Sequence, residues 1–289
     1  MIRYNPKESF LIIFQFHKAD TFRKLLPMII IIGIYSAFIA WLEISVWQLS
    51  DTSHVKNLSI IHSTLGLVIS LLLVFRTNTA YERWWEGRKI WGSLVNSSRN
   101  LALKIQAICP QEKMYYRTMI PNYAFALKNH LRSEVNLDEI LDCEGFESIK
   151  INVEKHIPNQ IALNIVAHTV ALNKSNVIGN EHLLFLNQEL SNFTDCVGAC
   201  ERIRKTPIPF SYSVFLKKFI FLYVITLPFG YVFSLGYYVI PVVSIFFYVL
   251  ASLELIAEEI EDPFGKDAND LPTDAISEGI KNSINEILE

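Results

Sequence analysis

The chain has 289 residues, a formal net charge of −3, 51% hydrophobic and 12% aromatic content, and a mean hydropathy of +0.26. These values exceed ordinary globular usage, while 19% charged residues exclude a chain lying wholly within a bilayer. What remains is an integral membrane protein of mixed architecture, part membrane and part soluble.

Residues 10–26, FLIIFQFHKADTFRKLL, read as an interfacial amphipathic stretch ahead of the first span. Leu25 to Leu42 and Asn57 to Phe75 carry no charge over 18 and 19 residues, near the roughly 20 needed to cross a bilayer. The first is not expected to be a cleaved signal peptide, because no small-residue cleavage site precedes Trp41.

On the second span Ser59, Ser63, Gly66 and Ser70 share a face, and small residues at this spacing let helices approach closely in lipid. Beside them Leu67, Leu71 and Phe75 recur every four residues as an apolar ridge. Such a ridge serves either lipid contact and packing, or a ring of apolar side chains around a symmetric pore that gates by dewetting. His62, five residues inside the span, is expected either to carry a function or to face an outer vestibule.

The stretch FRTNTAYERWWEGRKIWGSL, residues 75–94, follows directly. No proline lies between Asn57 and Cys109, so one helix of about 50 residues is expected to leave the membrane here. Arg76 is expected to snorkel to the headgroups, and Tyr81, Trp84 and Trp85 to suit an aromatic belt. Trp91 is too deep for that and is expected to pack against protein.

Residues 76–210 show apolar positions at helical spacing, including Trp84, Trp91, Val95, Ala102, Ile105, Leu183, Leu186, Leu190 and Phe193. Prolines at 110, 121, 158, 207 and 209 are expected where helices start or stop, giving an all-α cytoplasmic bundle. Phe219 to Leu253 then runs 35 residues without charge, too long for one span, so it reads as a tight hairpin beginning near Tyr212. Gly230, Gly236 and Pro241 mark its reversal.

Four spans result, dividing the chain into residues 1–75, 76–210, 211–253 and an acidic segment 254–289. The connecting segments 48–57 and 235–240 hold only Lys56 among 26 basic residues, so both termini and the middle region are expected in the cytoplasm of a cell's inner membrane. Disulfides among Cys109, Cys143, Cys196 and Cys200 are not expected there. HExxH, GxSxG, Walker and GxGxxG patterns are absent, and the histidines at 54, 62, 130, 156, 168 and 182 show no ligand spacing. No enzyme and no nucleic-acid partner is expected. Glu258, Glu259, Glu261 and Asp262 point to different helix faces and do not make a metal cluster.

Three motifs in order, FRTNTAYERWWEGRKIWGSL with Arg83, Trp84 and Trp85, TPIPFSY at 206–212 and EDPFGKDANDLP at 261–272, resemble the bestrophins, closest to their bacterial homologues. The resemblance implies a homopentameric ion channel with a central pore, four spans per subunit and a helical cytosolic domain. It implies a neck at Leu67, Leu71 and Phe75 and a second constriction near Glu181; Arg76, Arg83, Trp84 and Trp85 then read as a rigid junction between pore and cytosolic domain, the tryptophans wedged against neighbouring helices. The eukaryotic calcium clasp maps onto Asp267 and Asp270, with Lys266 and Ala268 interrupting its acidic run.

Glu181 and the C-terminal segment, with eleven Asp and Glu against two Lys over residues 252–289, favour permeation by sodium. Chloride is the alternative ion, and a non-conducting membrane scaffold the more distant reading.

Overall fold

The computed structural model describes residues 21–48, 58–140 and 151–289. The expected interfacial stretch up to residue 20, Lys56 and Cys143 lie outside them. Among the described residues every regular element is helical.

Helix α1, Thr21–Trp41, ends in one π-helical turn, Leu42–Val46. Helix α2, Leu58–Ile108, is a single unbroken rod of 51 residues, about 75 Å long. Helices α3, Lys113–Leu131, α4, Ile157–Lys174, and α5, Asn180–Lys205, follow it. The apolar run from residue 210 to 261 is folded back on itself as α6, Phe210–Leu235, and α7, Val239–Glu261. Helix α8, Thr273–Ile287, closes the chain.

Gly236 makes the reversal, with φ at +54°, a left-handed conformation that side chains disfavour. Lys217 near the start of α6 pairs at 2.9 Å with Glu258 near the end of α7, so the two helices run antiparallel. Four apolar spans result, from α1, the first part of α2, α6 and α7.

Two of the expected breakers behave otherwise. Gly230 lies inside α6, where it brings that helix against the backbone of Ser59 on α2. Pro121 lies inside α3 rather than at its end. A mid-helix proline costs about 3 kcal/mol, but all residues from Met119 to Asn129 are buried, and packing on that scale outweighs the lost hydrogen bond.

Two apolar clusters divide the molecule. One joins Ile32 of α1, Ile69 and Leu73 of α2, Val224 and Leu227 of α6, and Val243 and Phe247 of α7. The other joins Trp91 and Leu101 of α2 to Met119, Tyr123, Ile165, Phe193 and Ile280 of the extramembrane helices. Helix α2 is the one element running the length of both.

The C-terminal segment is not a solvated tail. Ile280, Ile284 and Leu288 sit in the second cluster, and α8 packs along α2 and α3. Its strongly amphipathic pattern explains this: apolar residues at 276, 280, 284 and 287 form one helical stripe.

Candidate pore neck and charged junction

Within the subunit Leu67, Leu71 and Phe75 are 64%, 53% and 64% exposed, whereas Ile69 and Leu73 on the opposite side of the same helix are buried. The ridge is therefore free to meet lipid or other subunits. Below it the exposed stripe continues at three- and four-residue steps through Asn78, Glu82, Trp85, Lys89, Ser93, Asn96 and Asn100, polar at all but Trp85.

Ser63 and Ser70 belong to the exposed side and close their hydroxyls onto the carbonyls of Ser59 and Gly66. His62, by contrast, is buried, not facing a vestibule. Its ring nitrogens lie 2.8 Å from the Leu58 carbonyl and 2.9 Å from the Thr226 hydroxyl, which a neutral imidazole satisfies completely.

Arg76 departs from expectation. It does not reach toward headgroups: it is 1% exposed, with Nη2 donating at 2.6 Å to Glu261 and Nε at 3.4 Å to Glu254 on α7. A guanidinium snorkels only when no closer carboxylate is available, and α7 brings two.

Two turns further, Arg83 donates to three backbone carbonyls, those of Glu261, Ile203 and Thr206. The Glu261 carboxylate also accepts the Ile208 N–H at 2.7 Å. Lys24 of α1 pairs with Glu259, which accepts from Asn269, whose carbonyl accepts the Trp84 indole N–H at 3.0 Å. Two basic groups, Lys24 and Arg76, thus meet three carboxylates, Glu254, Glu259 and Glu261, while Arg83 holds the backbone around them. The three motifs carrying the sequence resemblance converge on this one place. Trp85 is 47% exposed and stays at the rim, stacked on Trp84.

The loop after α7 docks on Gly87 of α2. A Cβ there would sit 3.1 Å from Phe264 and 3.2 Å from Leu271, so glycine permits the approach despite costing about 1 kcal/mol in a helix. Asp270 lies beneath this loop, buried, its Oδ2 accepting the Asp267 N–H at 2.7 Å. Burial pushes its carboxyl up to about 6, against that hydrogen bond, with Asp267, Asp262 and Glu259 adding repulsion.

These residues do not fit calcium, which takes six to eight oxygens. One Asp270 oxygen is already used by the loop backbone, the Asn269 carbonyl is held by Trp84, and Lys266 reaches away to Glu134 at 2.5 Å.

Glu181 is exposed in the first turn of α5, its carboxylate folded over Gly179. There it complements the positive end of the helix. Leu184, three residues on and sharing that face, is 77% exposed.

Spacing along the chain concealed one group altogether. His130, His156 and Glu201 bring their ligand atoms within 4.8 Å of one another. Burial lowers the His130 pKa despite its bond to Glu201, and Glu201 falls to about 2, where hydrogen bonds from Lys205, His156 and His130 overcome burial. Cys109, Cys196 and Cys200 are buried free thiols, and burial pushes the first and second to about 11, so they are not thiolates.

Spans, ridge and buried junction together define a polytopic helical membrane protein in which one rod joins a membrane bundle to an extramembrane domain. The family model described as Bacterial/Fungal Bestrophin protein matches residues 1–286. The chain belongs to this bestrophin family, whose members are ion channels and not enzymes.

It is 38% identical over 232 residues to a voltage-dependent anion channel-forming protein of Nostoc sp., covering 77% of this chain and 75% of that one. It is 34% identical over 224 residues to the voltage-dependent anion channel-forming protein YneE of Escherichia coli, covering 76% and 73%. A bacterial bestrophin homologue from Klebsiella pneumoniae, solved by crystallography, superposes with a TM-score of 0.80 at 25% identity, covering 91% of this chain and 98% of that one.

Replacing Arg76 with Met is expected to leave Glu254 and Glu261 buried with one cation fewer, at a cost of about 3–5 kcal/mol. Thermal unfolding in detergent reads this as a large drop, largely recovered when Glu254→Gln and Glu261→Gln are added; no recovery would mean that the ion pair is not the cause.

Asp270 yields a pH signature. Its folded pKa lies above the ordinary aspartate range, so its contribution to stability is present below about pH 4 and is lost as pH rises through about 6. Between pH 7 and 5 the protein is therefore expected to gain more thermal stability than Asp270→Asn does. Parallel pH profiles would count against a buried, ionising Asp270.

Proposed function

We propose that the chain is one subunit of a homopentameric channel for monovalent ions in a cell's inner membrane. The extramembrane helices and both termini lie in the cytoplasm, consistent with the near absence of basic residues in the opposite connecting segments. Five copies of α2 surround the axis. Leu67, Leu71 and Phe75 form a hydrophobic neck, and Asn78, Glu82, Lys89, Ser93 and Asn96 line the vestibule beneath it.

The observation carrying this reading is the ridge itself. Leu67, Leu71 and Phe75 lie on the exposed half of the helix, flanked by Ile60, Ile61, Val68 and Val74, and their line leads into a mainly polar exposed stripe. Lipid contact alone would not require the stripe to continue, in register, as a hydrophilic surface. An apolar ring narrow enough to dewet is a gate. The charged junction beginning at Arg76, one residue from Phe75, couples that gate to the cytoplasmic helices.

Anions are the favoured ions, and the Nostoc and Escherichia coli relatives are named as anion channel-forming proteins. The acidic C-terminal segment weighs less against this than its charge implies, because five of its eleven carboxylates are paired internally. Glu254 and Glu261 meet Arg76, Glu258 meets Lys217, Glu259 meets Lys24, and Asp274 meets Arg132. Glu82 and Lys89 likewise share the vestibule stripe with opposite sign.

Sodium permeation is the second reading, and it rests on Glu181. Five exposed carboxylates at a cytoplasmic constriction would attract cations, although Leu184 on the same face would make that ring partly apolar.

Two measurements on the purified protein in planar bilayers test these assignments. Leu67→Ala with Leu71→Ala is expected to raise current several-fold, since a wider and less apolar neck wets more easily; unchanged current would remove the neck role. In a sodium chloride gradient the reversal potential is expected to move toward the chloride equilibrium potential. Movement toward the sodium potential, abolished by Glu181→Gln, would establish the second reading instead.

A further inference from the structure

The end of α3, the start of α4 and the C-terminal half of α5 meet at His130, His156 and Glu201, all half-buried. His130 Nε2 lies 2.6 Å and His156 Nε2 2.9 Å from the same Glu201 oxygen, Oε1, and the two rings are 4.2 Å apart. The other carboxylate oxygen takes the Lys205 ammonium at 2.9 Å. The His130 backbone is itself fixed, its carbonyl accepting from Arg204 at 2.9 Å. A cavity of about 220 Å³, lined by His130, Ser133, Lys155 and Arg204 among others, opens beside the cluster.

We propose that His130, His156 and Glu201 form a binding site for a divalent transition metal ion of the zinc class, with two imidazole nitrogens and one carboxylate oxygen as ligands and water in the fourth position. The donor set selects the metal: imidazole with one carboxylate suits zinc, whereas calcium and magnesium require several oxygens.

Metal–ligand bonds near 2.0–2.2 Å in a tetrahedron hold neighbouring ligand atoms about 3.3 Å apart. The present separations of 2.6 and 2.9 Å to Glu201 Oε1 need to open by about 0.7 and 0.4 Å, with the two imidazole nitrogens, within 4.8 Å of each other, closing on the ion. The cavity at His130 supplies an approach for the hydrated ion. Three protein ligands with water in the fourth position differ from a closed structural site, which uses four. Lys205 competes for Glu201 and weakens the affinity.

Proton bookkeeping links the site to local structure. A carboxylate only accepts, so in the metal-free protein both Nε2 atoms carry their proton. His156 Nδ1 then holds a free lone pair, and it accepts the Asn159 N–H at 3.1 Å, capping α4. When the metal takes Nε2, that proton leaves for solvent and Nδ1 gains one, with no net change. The Nδ1–H of His156 now faces the Asn159 N–H, donor against donor. The Asn159 N–H loses its acceptor, and the first turn of α4 loses its cap. Metal occupancy is thereby coupled to the start of α4, where the cytoplasmic helices α3, α4 and α5 meet.

Equilibrium dialysis of the full-length protein against zinc chloride, with bound metal counted by mass spectrometry, tests the assignment without reference to conduction. One zinc per subunit is expected, weakened at least tenfold by either His130→Asn or Glu201→Gln. Lys205→Met, at an exposed position that leaves folding intact, is expected to tighten binding. Hydrogen exchange at the Asn159 amide should accelerate when zinc is added.

The absence of saturable zinc, or stoichiometric zinc surviving in the His130→Asn, His156→Asn double variant, would overturn the site. An Asn159 amide indifferent to bound zinc would overturn the coupling to α4.

Discussion

A guanidinium buried at the edge of a membrane bundle is costly unless carboxylates meet it there, and Arg76 has two. Everything else near the membrane exit is arranged around that requirement. Helix α7 must continue past the apolar span to deliver Glu254 and Glu261, and it does so without a break as far as Glu261. The segment at 206–208 must turn back close enough for Arg83 to hold the Thr206 carbonyl and for Glu261 to accept the Ile208 amide. The loop after α7 must lie flat on α2, and Gly87 permits it. The ion pairs thus fix the direction in which three separate chain segments leave the bilayer.

Because Arg76 directly follows Phe75, this fixed point adjoins the proposed neck. Helix α2 belongs to two packed clusters, one of membrane helices and one of extramembrane helices. The ridge at Leu67, Leu71 and Phe75 and the extramembrane helices are therefore joined by a continuous rod held near its midpoint at Arg76 and Arg83. Packed interfaces of this kind switch between discrete arrangements more readily than they deform. The histidine–glutamate cluster lies on the same extramembrane helices, so a ligand there would act on elements already connected to the rod.

Much of this architecture was legible in local pattern. Uncharged runs marked the spans because bilayer thickness sets a length, and the unbroken α2 followed from the absence of proline between residues 57 and 109. Trp91, too far from the membrane to anchor there, is indeed fully buried. The ridge at Leu67, Leu71 and Phe75 was visible as a spacing of four, and its exposure within the subunit agrees with that spacing.

Local pattern failed wherever the deciding partner lay far along the chain. Arg76 reads as an interfacial arginine until α7, 178 and 185 residues away, supplies its carboxylates. Pro121 reads as a helix end until burial on all sides holds α3 together. The acidic C-terminal segment reads as a free tail until its carboxylates find Arg76, Lys24, Lys217 and Arg132. His130, His156 and Glu201, separated by 45 and 71 residues from their partners, have no spacing to betray them. The sequence by itself determined which segments are helices and which of them are apolar enough to span, because propensity and periodicity act between near neighbours. Only the tertiary structure decided which charges are neutralised and which side chains meet, because those depend on helices brought together by packing.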